Sequence, residues 1–179
     1  MRLFIAIPVS SEVRGELASL VQRWQRADDD LRWMPPEMWH VTLQFLGSAS
    51  AQQYACVADS LRTVSSPPFA VQLGGLGFFE RAGIFHVSVE RSAELLTLQQ
   101  RIVTATSKCG FVAEDRPYSP HITLARKRGR GAGIQRLKAR VGAGPKFHPF
   151  TTREFLLFES FPGSSGSRYE VRVRFALGS

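Results

Sequence analysis

The chain has 179 residues, 44% of them hydrophobic and 13 of them Phe, which is ample for one packed interior and excludes a largely disordered chain. Lys and Arg number 23 against 15 Asp and Glu, giving a formal charge of +8; an anionic partner such as RNA, a nucleotide or a membrane surface fits this balance, and so does a plain arginine bias. No apolar stretch reaches membrane-spanning length, and Cys56 and Cys109 form neither a C-x-x-C nor a metal-spaced cluster, so they are expected as buried free thiols in a reducing cytoplasm.

In chain order, Leu3 to Ile7 reads as a buried strand; the N-terminal run is short, interrupted by Pro8 and without a cleavage site, unlike a signal peptide. Ser10 or Ser11 then caps a helix with apolar positions Val13, Leu17, Leu20, Val21 and Trp24, ended by the acidic run Asp28-Asp29-Asp30. Trp33-Met34-Pro35-Pro36 is a stiff loop into the strand HVTLQFLG. Side chains alternate faces along a strand, so Val41, Leu43 and Phe45 are expected in the core and His40 and Thr42 on the opposite face. A second helix runs from near Ala51 to Val64, and Phe69 to Leu73 forms a strand. Gly74-Gly75-Leu76-Gly77 is followed by Phe78-Phe79-Glu80-Arg81, not by a helix opening, and is read as a turn and not a phosphate loop.

The order then begins again: a strand from Ile84 to Val89, and a helix from Ser92 through Leu95, Leu98, Ile102 and Thr106. The loop Arg116-Pro117-Tyr118-Ser119-Pro120 leads into a strand with the sequence HITLAR. The basic piece Lys127 to Gly131, a short amphipathic helix, a strand around Phe155 to Phe158 and a last strand from Tyr169 to Phe175 complete the chain. His40 and His121 lie 81 positions apart, and the same shift lays Phe4 on Phe85, Ser11 on Ser92, Thr42 on Thr123 and Phe69 on Phe150. A constant offset signals duplication. The expected fold is α/β (α+β), a single domain of two β-α-β-α-β lobes, roughly residues 1–80 and 81–179, related by a pseudo-twofold. Such a fold could bring the two His-Thr faces together across a central cleft.

A lone strand histidine is ordinarily a hydrogen-bonded structural residue, but here two of only four histidines sit in matching H-x-T-L contexts. With an unperturbed pKa near 6.5, one imidazole can be neutral while the other is protonated, a general base and a general acid in one turnover. Each Thr hydroxyl can donate to a non-bridging phosphate oxygen, where pre-aimed donors stabilise developing charge. No paired glycosidase carboxylates and no nucleophile elbow are present. The set fits displacement at phosphorus, with a strained cyclic phosphate as substrate and no metal or other cofactor required.

HVTLQFLG and HITLAR resemble the paired H-x-T-x motifs of the 2H phosphoesterase family. The likeness takes in the lead-in from Trp33 to His40, Phe158-Glu159-Ser160, and the tail from Gly166-Ser167-Arg168-Tyr169 to Arg174-Phe175, which resemble the RNA 2′,3′-cyclic phosphodiesterase (2′-5′ RNA ligase) branch. The resemblance implies a bilobal fold of antiparallel-rich sheets flanked by helices, and hydrolysis of terminal 2′,3′-cyclic phosphates to 2′-phosphates. It implies His40 as proton donor to the leaving 3′-oxygen, His121 as the base for water, and Thr42 and Thr123 as holders of phosphate oxygens. Arg126 would add positive charge, although strict alternation puts it on the face opposite His121 unless the strand ends or bulges there. Implied partners are RNA or oligonucleotides with cyclic-phosphate ends, and nucleotides; a cytoplasmic monomer away from membranes is expected.

Two positions depart from the family pattern: Ser119 before Pro120, and His86 where relatives often carry a large apolar residue. His86 is read as packed or solvent-facing, and His148 as a surface residue. Trp33, Phe45 and Tyr118 either stack on a base or pack in core and loops. The competing readings are an RNA- or nucleotide-binding protein without turnover, a family enzyme acting on another cyclic phosphate or 2′-5′ oligonucleotide, and a metal hydrolase. The last needs about three protein ligands, and the motif loops supply no clear third.

Overall fold

The computed structural model describes residues 1–26, 30–129, 131–142, 144–163 and 166–178; Asp28, Asp29 and Arg130 of the segments read above lie outside the described residues. The first half contains β1 (Arg2–Pro8), α1 (Ser11–Trp24), β2 (Leu31–Trp33), a 3-10 turn (Pro36–Met38), β3 (His40–Ser48), α2 (Ala51–Leu61), β4 (Phe69–Val71) and β5 (Leu73–Phe79). The second contains β6 (Ile84–Val89), α3 (Ala93–Ser107), β7 (His121–Lys127), α4 (Gly133–Arg140), β8 (Phe150–Thr152), β9 (Glu154–Phe161) and β10 (Arg168–Ala176). Ser10 and Ser92 cap α1 and α3 by accepting from the backbone N–H of Val13 and Leu95, and Ser50 and Gln53 close a reciprocal capping box on α2. α1 stops at Trp24, ahead of the acidic run expected to end it, and the Asp30 carboxylate pairs with Arg136 at 2.6 Å.

Two antiparallel four-stranded sheets have the orders β10-β9-β1-β3 and β2-β7-β6-β5, and β4 pairs with β8. In that small ribbon Ala70 lies opposite Thr151, with Phe69 opposite Thr152 and Val71 opposite Phe150. A residue paired with the one 81 positions on, flanked by reciprocal pairs, is the register a twofold axis imposes on a self-complementary contact. The sheets do not follow the halves of the sequence, however. Strand β9 of the second half joins β1 and β3, while β5 of the first half joins β6 and β7. Helices cross likewise: Trp24 at the end of α1 packs edge-on against Phe85 of β6, and the Thr106 hydroxyl of α3 donates to Gln44 of β3 at 2.8 Å. The expectation of lobes drawn from residues 1–80 and 81–179 is therefore replaced by two interleaved sheets over one apolar core containing Ile5, Leu17, Leu43, Phe85, Leu124 and Phe155.

Two local expectations are corrected. Gly74 to Gly77 lies within β5 and is no turn; the reason is steric, because a Cβ at Gly74 would overlap the Ser88 hydroxyl and one at Gly77 would overlap the His86 ring. Glycine there lets the backbone pass under two side chains of β6. Cys56 and Cys109 are not free thiols but form a disulfide between α2 and the turn after α3, with Cα atoms 5.8 Å apart. The inference of a reducing compartment drawn from free thiols falls with it. No described helix is long and apolar enough to cross a membrane.

Candidate functional site

The site begins with two bulges. Where β3 pairs with β1, Ala6 faces Thr42 and Ile5 faces Gln44, so Leu43 is the extra residue. Where β7 pairs with β6, His86 faces Thr123 and Phe85 faces Ala125, so Leu124 is extra. A bulge resets alternation. Leu43 and Gln44 are both buried, as are Leu124 and Ala125, and the next residue of each strand comes round to the face of the preceding His and Thr. Those residues are Phe45 and Arg126. Arg126 thereby joins His121 and Thr123, and its charge acts on both His121 and His40. Phe45, expected in the core, is 55% exposed on the same face as His40 and Thr42.

The two imidazoles are held in the same way. Nδ1 of His40 lies 2.7 Å from the carbonyl oxygen of Met38, and Nδ1 of His121 lies 2.8 Å from that of Ser119. A carbonyl only accepts, so each Nδ1 carries a proton and donates it, which leaves each Nε2 as the nitrogen free to give or take one. The Met38 carbonyl comes from the turn Pro36–Met38, and the Ser119 carbonyl from the Pro117-to-Pro120 loop. Because Ser119 contributes its backbone here, its departure from the family pattern leaves this contact intact. The lead-in of β7 is tied to β3 by the Tyr118 hydroxyl, which donates to the Thr42 carbonyl at 2.9 Å, and burial raises the Tyr118 pKa. Tyr118 is thus packing, as is Trp33, whose ring meets Phe85 edge-on.

The sequence matches the 2′-5′ RNA ligase superfamily over residues 12–159. The chain belongs to that superfamily. An RNA 2′,3′-cyclic phosphodiesterase of Geobacillus stearothermophilus is 34% identical over 129 residues, covering 69% of this chain but 41% of that longer protein. An RNA 2′,3′-cyclic phosphodiesterase of Thermotoga maritima is 31% identical over 131 residues, 70% of each chain. The crystal structure of E. coli LigT complexed with 3′-AMP has a TM-score of 0.83 at 23% identity, covering 99% of this chain and 98% of that one, a likeness of fold.

Within this 2′-5′ RNA ligase superfamily site the two imidazoles have different surroundings. His40 packs among aromatic rings, with centroids 4.9 Å from Phe4, 5.5 Å from Tyr169 and 5.9 Å from Phe158. Burial pushes its pKa down to about 4; the Met38 carbonyl opposes this, and the positive charges of His121 and Arg126 add to it. His121 has the Phe79 ring edge-on at 4.9 Å and a third imidazole, His86, at 5.3 Å. Its pKa is lowered too, by burial first and by Arg126, against the Ser119 carbonyl. That a charge on His121 is felt at His40 puts the two rings in one electrostatic environment although they belong to different sheets. A cavity of about 570 Å³ opens beside His40, lined among others by Arg14, Arg153, Phe158, Tyr169 and Arg174; His121 is not part of its wall.

From sequence His86 is expected to be packed or solvent-facing; in the fold it is buried beside His121. The available signal was the strand pattern His86-x-Ser88, which repeats the i, i+2 spacing of the motif strands. His148 is at the surface as expected, against the Glu16 carboxylate at 2.6 Å. No three His, Cys, Asp or Glu side chains group as metal ligands among the described residues.

Proposed function

We propose that this chain hydrolyses RNA 2′,3′-cyclic phosphate ends to 2′-phosphates by general acid–base catalysis between His40 and His121. The observation that carries the reading is the matched pair of imidazoles, each anchored through Nδ1 to the carbonyl two residues before it and each keeping Nε2 free. His121 takes a proton from water as the water oxygen bonds to phosphorus. The P–O3′ bond breaks, and His40 delivers its Nε2 proton to the departing 3′-oxygen. Thr42 and Thr123 donate to the non-bridging oxygens, and Arg126, brought to this face by the Leu124 bulge, balances their charge. With a 5′-hydroxyl in place of water the same two groups, in the same roles, join a cyclic-phosphate end in a 2′-5′ linkage: His121 takes the 5′-hydroxyl proton as the 5′-oxygen bonds to phosphorus, the P–O3′ bond breaks, and His40 protonates the 3′-oxygen. Phe45, exposed beside the motif, offers a ring on which a base can stack.

The deciding experiment is product mapping on an RNA with a 2′,3′-cyclic phosphate end, with and without a chelator. A 2′-phosphate product, formed equally in both, is the expected result. A 3′-phosphate, or binding without product, overturns the proposal.

The pH dependence is a second check. Turnover needs His40 protonated and His121 neutral. In the free protein His40 is lowered to about 4 and His121 lies below its ordinary 6.5. The competent form is therefore most populated at acid pH, and above 6.5 it declines about tenfold per unit as the remaining proton is lost. We expect kcat/KM to peak below pH 6.5. A bound phosphate anion stabilises protonated His40, so kcat should persist to higher pH than kcat/KM. A kcat/KM maximum at pH 8 would contradict this assignment.

A further inference from the structure

The two sheets carry a size exchange that singles out one side chain. Opposite Thr42 stands Ala6, and beside Ala6 on the next strand stands Leu156. Opposite Thr123 stands His86, and beside it stands Gly77. Small-then-large in one sheet becomes large-then-small in the other, so the His86 ring occupies volume that Leu156 fills in the first sheet. An apolar residue would serve for filling. An imidazole there carries a cost, because it is 7% exposed and its Nδ1 is sealed from solvent without a hydrogen-bond partner. The Phe79 ring stands edge-on against it at 4.0 Å. Nδ1 being the sealed nitrogen, Nε2 is the one left to reach a ligand.

We propose that His86 is a further substrate-binding residue of this site, a neutral imidazole donating from Nε2 to an oxygen of the phosphate that Thr123 also holds. The cross-strand pairing supports this, since directly opposed residues on one face lie about 5 Å apart. The groups around His86 are Ser88 on its own strand, His121 and Thr123 on β7, and Gly77 and Phe79 on β5. Burial first, and the charge of His121 second, lower its pKa to about 4 and hold it neutral. A neutral donor complements the protonated His121 that hydrolysis creates without adding a second buried charge. At this cross-strand position the second sheet thus offers the phosphate a donor where the first, with Ala6, has none.

This inference rests on the proposed cyclic-phosphate reaction, and the tests separate the two. H86L keeps the volume and removes the donor; H86Q keeps a donor. We expect H86L to lose about ten- to hundredfold in kcat/KM and a similar factor in affinity for 2′-AMP, the range for a hydrogen bond to a charged group, and H86Q to recover most of both. In the unaltered protein, titration with 2′-AMP should move the ¹⁵N resonance of His86 Nε2. Wild-type activity and affinity in H86L, a Gln variant as impaired as the Leu variant, or a resonance that does not move each overturn the inference. Should the unaltered protein fail to cleave cyclic phosphate, the functional reading fails, while the 2′-AMP binding and resonance arms still decide the role of His86.

Discussion

Replacing His121 by alanine should lower kcat for cyclic-phosphate hydrolysis by about 10²- to 10⁴-fold, and replacing His40 should do the same, with each variant still folded. The reason lies in how little of the fold depends on either ring. Each is anchored by one hydrogen bond to a carbonyl in its own lead-in, and each lies half-buried at the start of its strand, not in the apolar interior. The strands are held instead by Val41, Leu43, Ile122 and Leu124, which are all buried. His40 is the more embedded of the two because Phe4, Phe158 and Tyr169 surround it. Its variant should therefore lose more stability than the His121 variant. Single-turnover assays with circular dichroism melts on the same samples check both statements. A variant of either histidine that retains wild-type kcat would remove the acid–base assignment.

Much of this site was legible in the sequence because it depends on local pattern. The H-x-T spacing specifies a shared strand face at sight, and the 81-residue shift is realised as the twofold register of Ala70 and Thr151. What could not be seen depends on pairing between distant strands. The position of Phe45 follows from an extra residue in β3 relative to β1, and that of Arg126 from an extra residue in β7 relative to β6. Strict alternation within one strand contains no trace of either bulge. Gly77 looked like turn material because its reason for being glycine, the His86 ring, lies on another strand. The constant offset also slips by one locally. By strand pairing His86 corresponds to Ala6, not Ile5, and the α1 cap is Ser10, not Ser11.

The same long-range logic governs the cysteines, and it leads to the second large expected effect. Reading each half of the sequence as its own lobe puts α2 and α3 in different bodies and the two thiols far apart. In the fold those helices pack together, and Cys56 and Cys109, 53 positions apart, are bonded. Closing a loop of that length removes denatured-state entropy equivalent to about 4 kcal/mol. For a chain of this size each kcal/mol moves Tm by about 2–4 °C. The Cys56→Ala/Cys109→Ala variant, or the reduced protein, should therefore melt about ten degrees or more below the oxidised protein. Activity at 25 °C should be unchanged, because the bond joins α2 to the turn after α3 and not the strands that carry His40 and His121. Support behind β3 persists without it through the buried Thr106–Gln44 hydrogen bond. Calorimetry with and without reductant, alongside thiol titration of the unfolded chain, measures the effect. Coincident melts of the oxidised and reduced forms would mean that the cross-link constrains nothing the native packing does not already hold. A loss of turnover on reduction would instead show that the α2–α3 contact is coupled to the placement of β3, and with it His40.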